Sequence, residues 1–487
     1  MTDMARTPGT APVSVSFCAP GDRRFILWAA ILASSMGFID SSVTSIAIPA
    51  MREALGATLP QAQWISAAYL LALSALVLTG GALGDRYGTA RVFVIGIWVF
   101  VIASIGCALA QDAPQMIAAR AVKGLGAAMM VPGSMALVSR AYPREERGKA
   151  LGLWAAASTA TTALGPVLGG MLISWGGELG WRAIFALNLP LGLMSVWLLR
   201  GRVARDAAQS TATLDVPGAI LATAGLGLMA LALTSRVDLV LPLGIAGLVI
   251  FAVFIRWEAV SANPMISLSM FRRRTFAMAN LMTLALYFAL NGVMFYLPMT
   301  ATSVWGVDAL EITAAFVPIS VLIGVMSAPA GRWADRIGPG PLLATGSALV
   351  AVAYAGLALV AEGGNFWGRI VPLMALAGIG LGLLVAPLTA AVMAEAADDE
   401  QGAASGINNA IARAAGLVAV ALMGRLAAWA YGTPDATDLP GFGVPGTAAA
   451  HVAATGHAFA LVAGLAAVMA LVAAILSLTI RQVKSDP

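Results

Sequence analysis

Charge is the scarcest property of this 487-residue chain: Asp, Glu, Lys and Arg make up 11% of it, against 60% hydrophobic residues. A water-soluble domain carries about 25% charged residues, so most of this surface cannot face water. Cysteine is nearly missing. Cys18 stands in a polar N-terminal stretch and Cys107 in an apolar run, which excludes a disulfide framework and a C-x-x-C redox or metal site. The two histidines, His451 and His457, are six apart and make no metal site. No nucleophile–base set, phosphate loop or nucleotide motif occurs, which argues against an enzyme and against nucleotide-driven work. Met1 to Asp22 is polar, with Pro8, Pro12 and Pro20, and lacks the apolar core of a cleaved signal peptide, so residues 1–24 are expected to be a disordered cytoplasmic tail. The net charge is only +4, and its bases sit in short loops between apolar runs. Nucleic acid is therefore not an expected partner.

What the chain does have is apolar length. Continuous runs of about 20 residues, enough to cross a ~30 Å hydrocarbon core, occur about fourteen times, with the fifth near 149–175 and the eighth near 238–256. The runs are continuous rather than alternating, so helices and not a β-barrel are expected. Lys and Arg orient them. Arg23, Arg24, Arg86, Arg91, Arg140, Lys149, Arg200, Arg272, Arg273, Arg274, Arg332 and Arg336 all fall on one side. Arg52, Arg182, Arg236 and Arg369 fall on the other. Both termini are thereby expected in the cytoplasm, and the chain in the cytoplasmic (inner) membrane.

One pattern occurs twice. Gly81-Ala-Leu-Gly-Asp85-Arg86-Tyr-Gly88 returns as Gly331-Arg-Trp-Ala-Asp335-Arg336-Ile-Gly338, about 250 residues later, each copy pinned between two apolar runs. The match extends from Gly124-Leu-Gly126 to Gly378-Ile-Gly380. A parallel repeat of this kind is the signature of two six-helix bundles with a path between them. The expected organisation is a bundle over 25–199, a linker with two extra membrane helices over 200–274, a second bundle over 275–480 and a cytoplasmic tail over 481–487.

The ordered set of motifs resembles the major facilitator superfamily, and within it the fourteen-helix drug/proton antiporter branch. The set comprises Phe38-Ile-Asp40-Ser-Ser, Trp64 and Tyr69, the D-R turn, Arg120-Ala-Val-Lys-Gly124, Gly165-Pro166-Val-Leu-Gly169-Gly170, Asn188-Leu-Pro190 and Asp215-Val-Pro217-Gly218. The resemblance implies an all-helical secondary transporter that exports small amphipathic or lipophilic compounds against protons. It implies no cofactor beyond the proton gradient, a monomeric working unit, contact with membrane lipids, and compatibility with a periplasmic adaptor. A same-fold symporter for a small metabolite and a non-transporting membrane receptor or scaffold remain the alternatives.

An ionisable residue inside the membrane is a functional candidate by default. Asp40 lies about 15 residues past Phe25, roughly 22 Å deep at 1.5 Å per residue. Arg120, on an oppositely directed helix, falls at nearly the same depth. Asp40 is the expected proton carrier and Arg120 the charge that faces it: desolvation favours the neutral acid and a nearby guanidinium favours the anion. Lys123 follows Arg120 by three residues on the same face, where the family usually has a neutral amide. Lys123 and Arg413 are expected in the substrate cavity, biasing it towards neutral, lipophilic or anionic compounds over dications. Trp64, Tyr69, Tyr287, Asn291, Phe295, Tyr296 and Asn409 are expected to line the same path. Gly165, Pro166, Gly169 and Gly170 allow close helix approach, and the resemblance implies that this run marks exporters and seals one side. Gly81, Asp85, Arg86, Gly88 and Arg91, with Asp335, Arg336, Glu146 and Arg147, are expected to form a cytoplasmic latch, extended by Glu400. Arg425 is expected to snorkel to the headgroups.

Overall fold

A computed structural model of the chain describes residues 17–203, 215–262, 264–363, 365–394, 401–432 and 441–480. The expectations for residues 1–16, Glu400 and the 481–487 tail fall outside the described residues. No strand occurs among the described residues. The helices are α1 (Arg23–Ala54), α2 (Leu59–Tyr87), α3 (Thr89–Leu109), α4 (Ala113–Ala141), α5 (Arg144–Gly176), α6 (Gly180–Ala186), α7 (Asn188–Leu199), α8 (Val216–Thr234) and α9 (Val237–Val260). They continue with α10 (Arg274–Val304), α11 (Ala309–Ile337), α12 (Pro339–Val360), α13 (Val371–Ala394), α14 (Gln401–Tyr431) and α15 (Ala449–Ser477).

Local chemistry starts and stops these helices. Thr58 and Gln61 form a reciprocal capping box at the start of α2, and Asp308 and Glu311 form the same box at the start of α11. Both helices end on a glycine at positive φ, Gly88 at 101° and Gly338 at 85°, a conformation that a Cβ would strain. The last glycine of each G-x-x-x-D-R-x-G copy is therefore the hinge that turns the chain straight into the next helix. Pro190 lacks the N–H that would continue the turn from Ala186, and the run expected at 182–199 breaks at Leu187 into α6 and α7.

Thirteen helical segments among the described residues are long and apolar enough to cross a membrane, with α6 and α7 counted as one. The remaining long helix, α5, is the one expected as the fifth of fourteen spans; among its described residues Leu164–Gly176 is an apolar stretch, and Glu145 and Glu146 stand in its first turn. Large apolar side chains point outward along these segments, with Leu359 87% and Val237 78% exposed. Only a hydrocarbon solvent makes such a surface stable.

The packing repeats as the sequence does. α2 packs on α4 as α11 packs on α13, α3 on α4 as α12 on α13, and α1 on α7 as α10 on α15. Close approach is made the same way twice: Gly96 against Gly126, and Gly346 against Gly380. Between the two groups run α2 with α14 and α5 with α11, which are one contact repeated by the duplication, and α1 with α10. The inserted pair α8–α9 sits outside this core on the α2–α14 seam, where Trp64 Nε1 donates to Thr234 Oγ1 at 2.9 Å and Arg425 Nη1 to the Ser235 carbonyl at 2.8 Å. Arg425 thus binds the end of α8, and its expected snorkelling is corrected.

Residues 17–24 are not the disordered stretch expected of them. Cys18 is buried with its thiol 3.8 Å from the Ala141 carbonyl, Arg140 lies 4.8 Å over the Phe17 ring, and Asp22 pairs with Arg202 at 3.6 Å. Burial pushes the Cys18 thiol above its ordinary range. These residues fasten the start of α1 to the ends of α4 and α7.

Candidate functional site

α1 crosses α4 at mid-height, and three charges meet there. Arg120 Nη1 donates to Asp40 Oδ2 at 2.5 Å, and Lys123 Nζ donates to Asp40 Oδ1 at 2.5 Å. Asp40 is 1% exposed, Arg120 2% and Lys123 0%. A buried ion is tolerated only when its lone pairs and protons are met, and here they are. Arg120 Nε also donates to the Ile65 carbonyl at 2.9 Å, and its guanidinium lies 4.5 Å over the Tyr69 ring. Lys123 sits between the Phe100 and Phe185 rings, 4.6 Å and 4.7 Å from their centroids. The triad carries one positive charge in excess, enclosed by aromatic faces. Lys123 is therefore part of the Asp40 site, whereas the sequence argument had put it with the substrate cavity.

α5 joins this triad to the second group of helices. A Cβ at Gly165 would meet Ser42, and one at Gly169 would stand 2.8 Å from Val43 Cγ1. Both partners lie within one turn of Asp40. At Gly170 the neighbour changes to α11, with the Ala309 carbonyl 2.7 Å from the Cβ position. Gly165, Pro166, Gly169 and Gly170 are all buried. The run lets α5 touch α1 on one side and the opposite group on the other.

The remaining expected residues separate into distinct places. Arg413 is half-buried at mid-height of α14 and makes no hydrogen bond or ion pair among the described residues. Its charge acts on Tyr69 and on Tyr287. Asn409, one turn earlier, is exposed, while Asn291 donates to the Tyr287 carbonyl. Trp64, expected on the path, instead faces the inserted helix α8 within a cluster of Ala67, Ala230 and Leu417. Phe295 and Tyr296, expected on the path, are both buried in this state. Tyr296 is fully buried, its hydroxyl donating to the Val420 carbonyl at 2.5 Å and accepting from Gln63 Nε2 at 2.9 Å.

Those last bonds belong to a closure at the end of the molecule remote from the D-R turns. Gln63 also donates to the Val420 carbonyl at 2.8 Å, and Arg52 of α1 donates to the Phe442 carbonyl. Beside them His451, fully buried, contacts the Tyr431 hydroxyl at 2.5 Å and the Val444 carbonyl at 2.7 Å. Sequence reasoning missed Arg52, Gln63 and His451. Arg52 was read as loop charge and His451 only as no metal ligand, and one amide in an apolar run carries little signal by itself. A cavity of about 660 Å³ at this end, lined by Pro60, Gln63, Thr234, Arg425 and Trp429, opens beside the inserted pair and includes no triad residue.

At the other end, Asp85, Arg91, Asp335 and Arg336 are exposed and Arg86 is half-buried against Tyr87. Glu146 pairs with Arg23 at 3.5 Å, a contact inside the first group rather than across the two. Arg147 is half-buried with its Nε unpartnered. No cluster of three or more His, Cys, Asp or Glu side chains able to hold a metal occurs among the described residues.

Comparison with known proteins adds an independent line. The pattern of the Major Facilitator Superfamily matches residues 30–420. A methylenomycin A resistance protein of Streptomyces coelicolor is 31% identical over 81% of this chain and 84% of its own length. The riboflavin transporter RibZ of Clostridioides difficile is 28% identical over 75% of this chain and 80% of its own. Among solved structures, a bacterial homologue of the human lysosomal transporter Spinster, inward-facing and unoccupied, superposes with a TM-score of 0.67 at 14% identity, covering 96% of this chain and all of that one. At that identity the likeness speaks to the fold.

Proposed function

Because the chain belongs to the Major Facilitator Superfamily, we propose that it exports small amphipathic or lipophilic compounds in exchange for protons, by alternating access across the cytoplasmic membrane. In this reading the helices make fourteen crossings, with α5 as one and α6 with α7 as another, and both termini and both D-R turns are cytoplasmic. Residues 25–199 and 275–480 rock as two six-helix bundles, and 200–274 carries the inserted pair. The proton gradient supplies the energy, no cofactor takes part, and the working unit is a monomer. The Gln63–Tyr296–Val420 and Arg52–Phe442 contacts close the outer side. The exposed D-R turns are the latch that closes the inner side in the opposite state.

The observation that carries the reading is the sealed Asp40–Arg120–Lys123 triad. Both Asp40 oxygens are occupied, so a proton reaching Asp40 has to displace a cation or come from one. Arg120 holds its protons under all conditions, whereas a lysine ammonium can release one. Transfer from Lys123 Nζ to Asp40 Oδ1 leaves a neutral amine and a neutral acid, with the net charge unchanged. Release of that proton to the cytoplasm then takes the triad from one positive charge to none. Two states that differ by one buried charge bias a two-state packing strongly. α5, held against α1 beside the triad and against α11 beyond it, couples that difference to the outer closure.

The charge of the site also bears on the substrate. The triad is never negative, and Arg413 adds an unpaired cation at mid-height. Neutral and anionic compounds are received there, and dications are opposed. Everted vesicles with a panel of anionic, neutral and dicationic dyes test the whole reading. Dye enters the lumen as luminal pH rises, with dications the poorest substrates; dye accumulation that leaves luminal pH untouched overturns the coupling. The riboflavin-transporter relative keeps a small metabolite open as the substrate; the second reading is uptake symport of such a compound, which net outward movement from the lumen together with protons would establish instead.

A further inference from the structure

Two acids close the inserted helix pair at the end where the D-R turns lie. Asp215 caps α8: its Oδ1 accepts the Gly218 N–H at 2.9 Å and the Trp257 Nε1–H at 2.7 Å. Glu258, 3% exposed near the end of α9, accepts the Ile266 N–H on its Oε2 at 2.8 Å. Each keeps one oxygen buried with no partner, Asp215 Oδ2 and Glu258 Oε1. These two orphans crowd the same bare side of Gly218, 2.5 Å and 2.6 Å from where its Cβ would stand, within hydrogen-bonding reach of each other's carboxyl group. Ionised carboxylates only accept, and two of them at this range out of water cannot both keep their charge. The missing donor is a proton.

We infer that Asp215 and Glu258 form a second proton-binding site, sharing one proton between Asp215 Oδ2 and Glu258 Oε1, so that the pair carries a single negative charge. A metal ion does not suit the place. Hard cations take about six or more oxygen ligands, and here the outer oxygens are already occupied by N–H groups. From the packed elements, α8 contributes Asp215 as the titratable neighbour, the Ser261–Ser267 connection contributes the Met265 and Ile266 backbone, and α2 contributes the apolar Ala75 and Leu76. The shared proton ties the start of α8, the end of α9 and the connection that leads into α10 in one knot. The inference rests on the geometry of this hairpin and stands apart from the export reading.

Infrared spectra of the full chain in lipid nanodiscs test it. Asp40→Asn serves as the background, so that the triad's acid does not contribute. A carbonyl-stretch band of a protonated carboxylic acid, shifted in D₂O, is expected at neutral pH and is lost on adding Glu258→Gln or Asp215→Asn; asparagine also caps a helix. If Asp40→Asn does not fold, the difference spectrum of the unaltered chain against Glu258→Gln reads the same band. Raising pH is also expected to lower the unfolding temperature of the unaltered chain more than that of Glu258→Gln, whose amide keeps a donor facing Asp215. Absence of the band, its persistence in both variants, or stabilisation by Na⁺ or Ca²⁺ that Glu258→Gln abolishes would each overturn the shared proton.

Discussion

Asp40 has both carboxylate oxygens engaged, so replacing it does more than delete a proton acceptor. Asp40→Asn strands two buried cations, and breaking a buried pair costs ~3–5 kcal/mol; a lowered unfolding temperature is expected alongside lost coupling. Lys123→Gln separates the two effects. It keeps the Asp40–Arg120 pair, removes the ammonium that hands its proton to Asp40, and should leave a folded protein whose gradient-driven dye accumulation in proteoliposomes falls by about tenfold or more, a factor worth ~1.4 kcal/mol. Accumulation at the unaltered level would remove Lys123 from the proton cycle. Arg413→Ala should lower export of anionic dyes by about tenfold while neutral dyes change little, on the same scale; equal loss for both would make Arg413 a packing residue. The triad was partly legible in the sequence, because depth follows from rise per residue and Lys123 from the i, i+3 spacing. Trp64, Arg52 and Glu258 were not. Whether an aromatic side chain faces the path or a neighbouring helix is a tertiary choice, and a charge at the edge of an apolar run looks like headgroup-facing charge until its partner is known.

At the scale of elements, α2 and α11 carry the same capping box at one end and the same positive-φ glycine at the other. These signals set limits that reach beyond the apolar runs themselves. α5, read in the sequence as the fifth apolar run, has charged first turns and a middle rich in small and hydroxylated residues. That composition suits a helix pressed between two others. Gly170→Val should drive side-chain atoms into Thr313 and the Ala309 carbonyl of α11 and pry open the end remote from the D-R turns. Maleimide labelling of a reporter cysteine at Gln61 measures this; both native cysteines are buried, so background is low. Labelling should rise severalfold over the same reporter without the substitution, and unchanged labelling would mean that α5 does not bear on this closure. The inserted pair is held more lightly. Trp64→Phe removes one hydrogen bond to Thr234, worth about 0.5–1.5 kcal/mol, and should lower thermal stability slightly while leaving export in place. Loss of export with unchanged stability would assign Trp64 to the path after all.

For the whole molecule, the decisive feature is that the two long seams are one contact used twice: α2 is to α14 as α11 is to α5. A pseudo-twofold arrangement of this kind lets both seams pivot together while the ends open and close in opposition. The end remote from the D-R turns is bonded, and the D-R turns are exposed. The bonded seam and the D-R turns thus lie at opposite ends of the molecule, as rocking requires. Locking the bonded end should then stop transport without blocking entry of substrate from the D-R side. Gln63→Cys with Tyr296→Cys, at positions whose native side chains touch at 2.9 Å, can be bridged by a short bifunctional thiol reagent. The bridged protein should bind dye with an affinity within a few-fold of the unbridged one and export none of it, and cleavage of a reducible bridge should restore export. Continued export across the intact bridge would show that this seam does not open during the cycle, and would move the substrate's exit to the cavity beside the inserted pair.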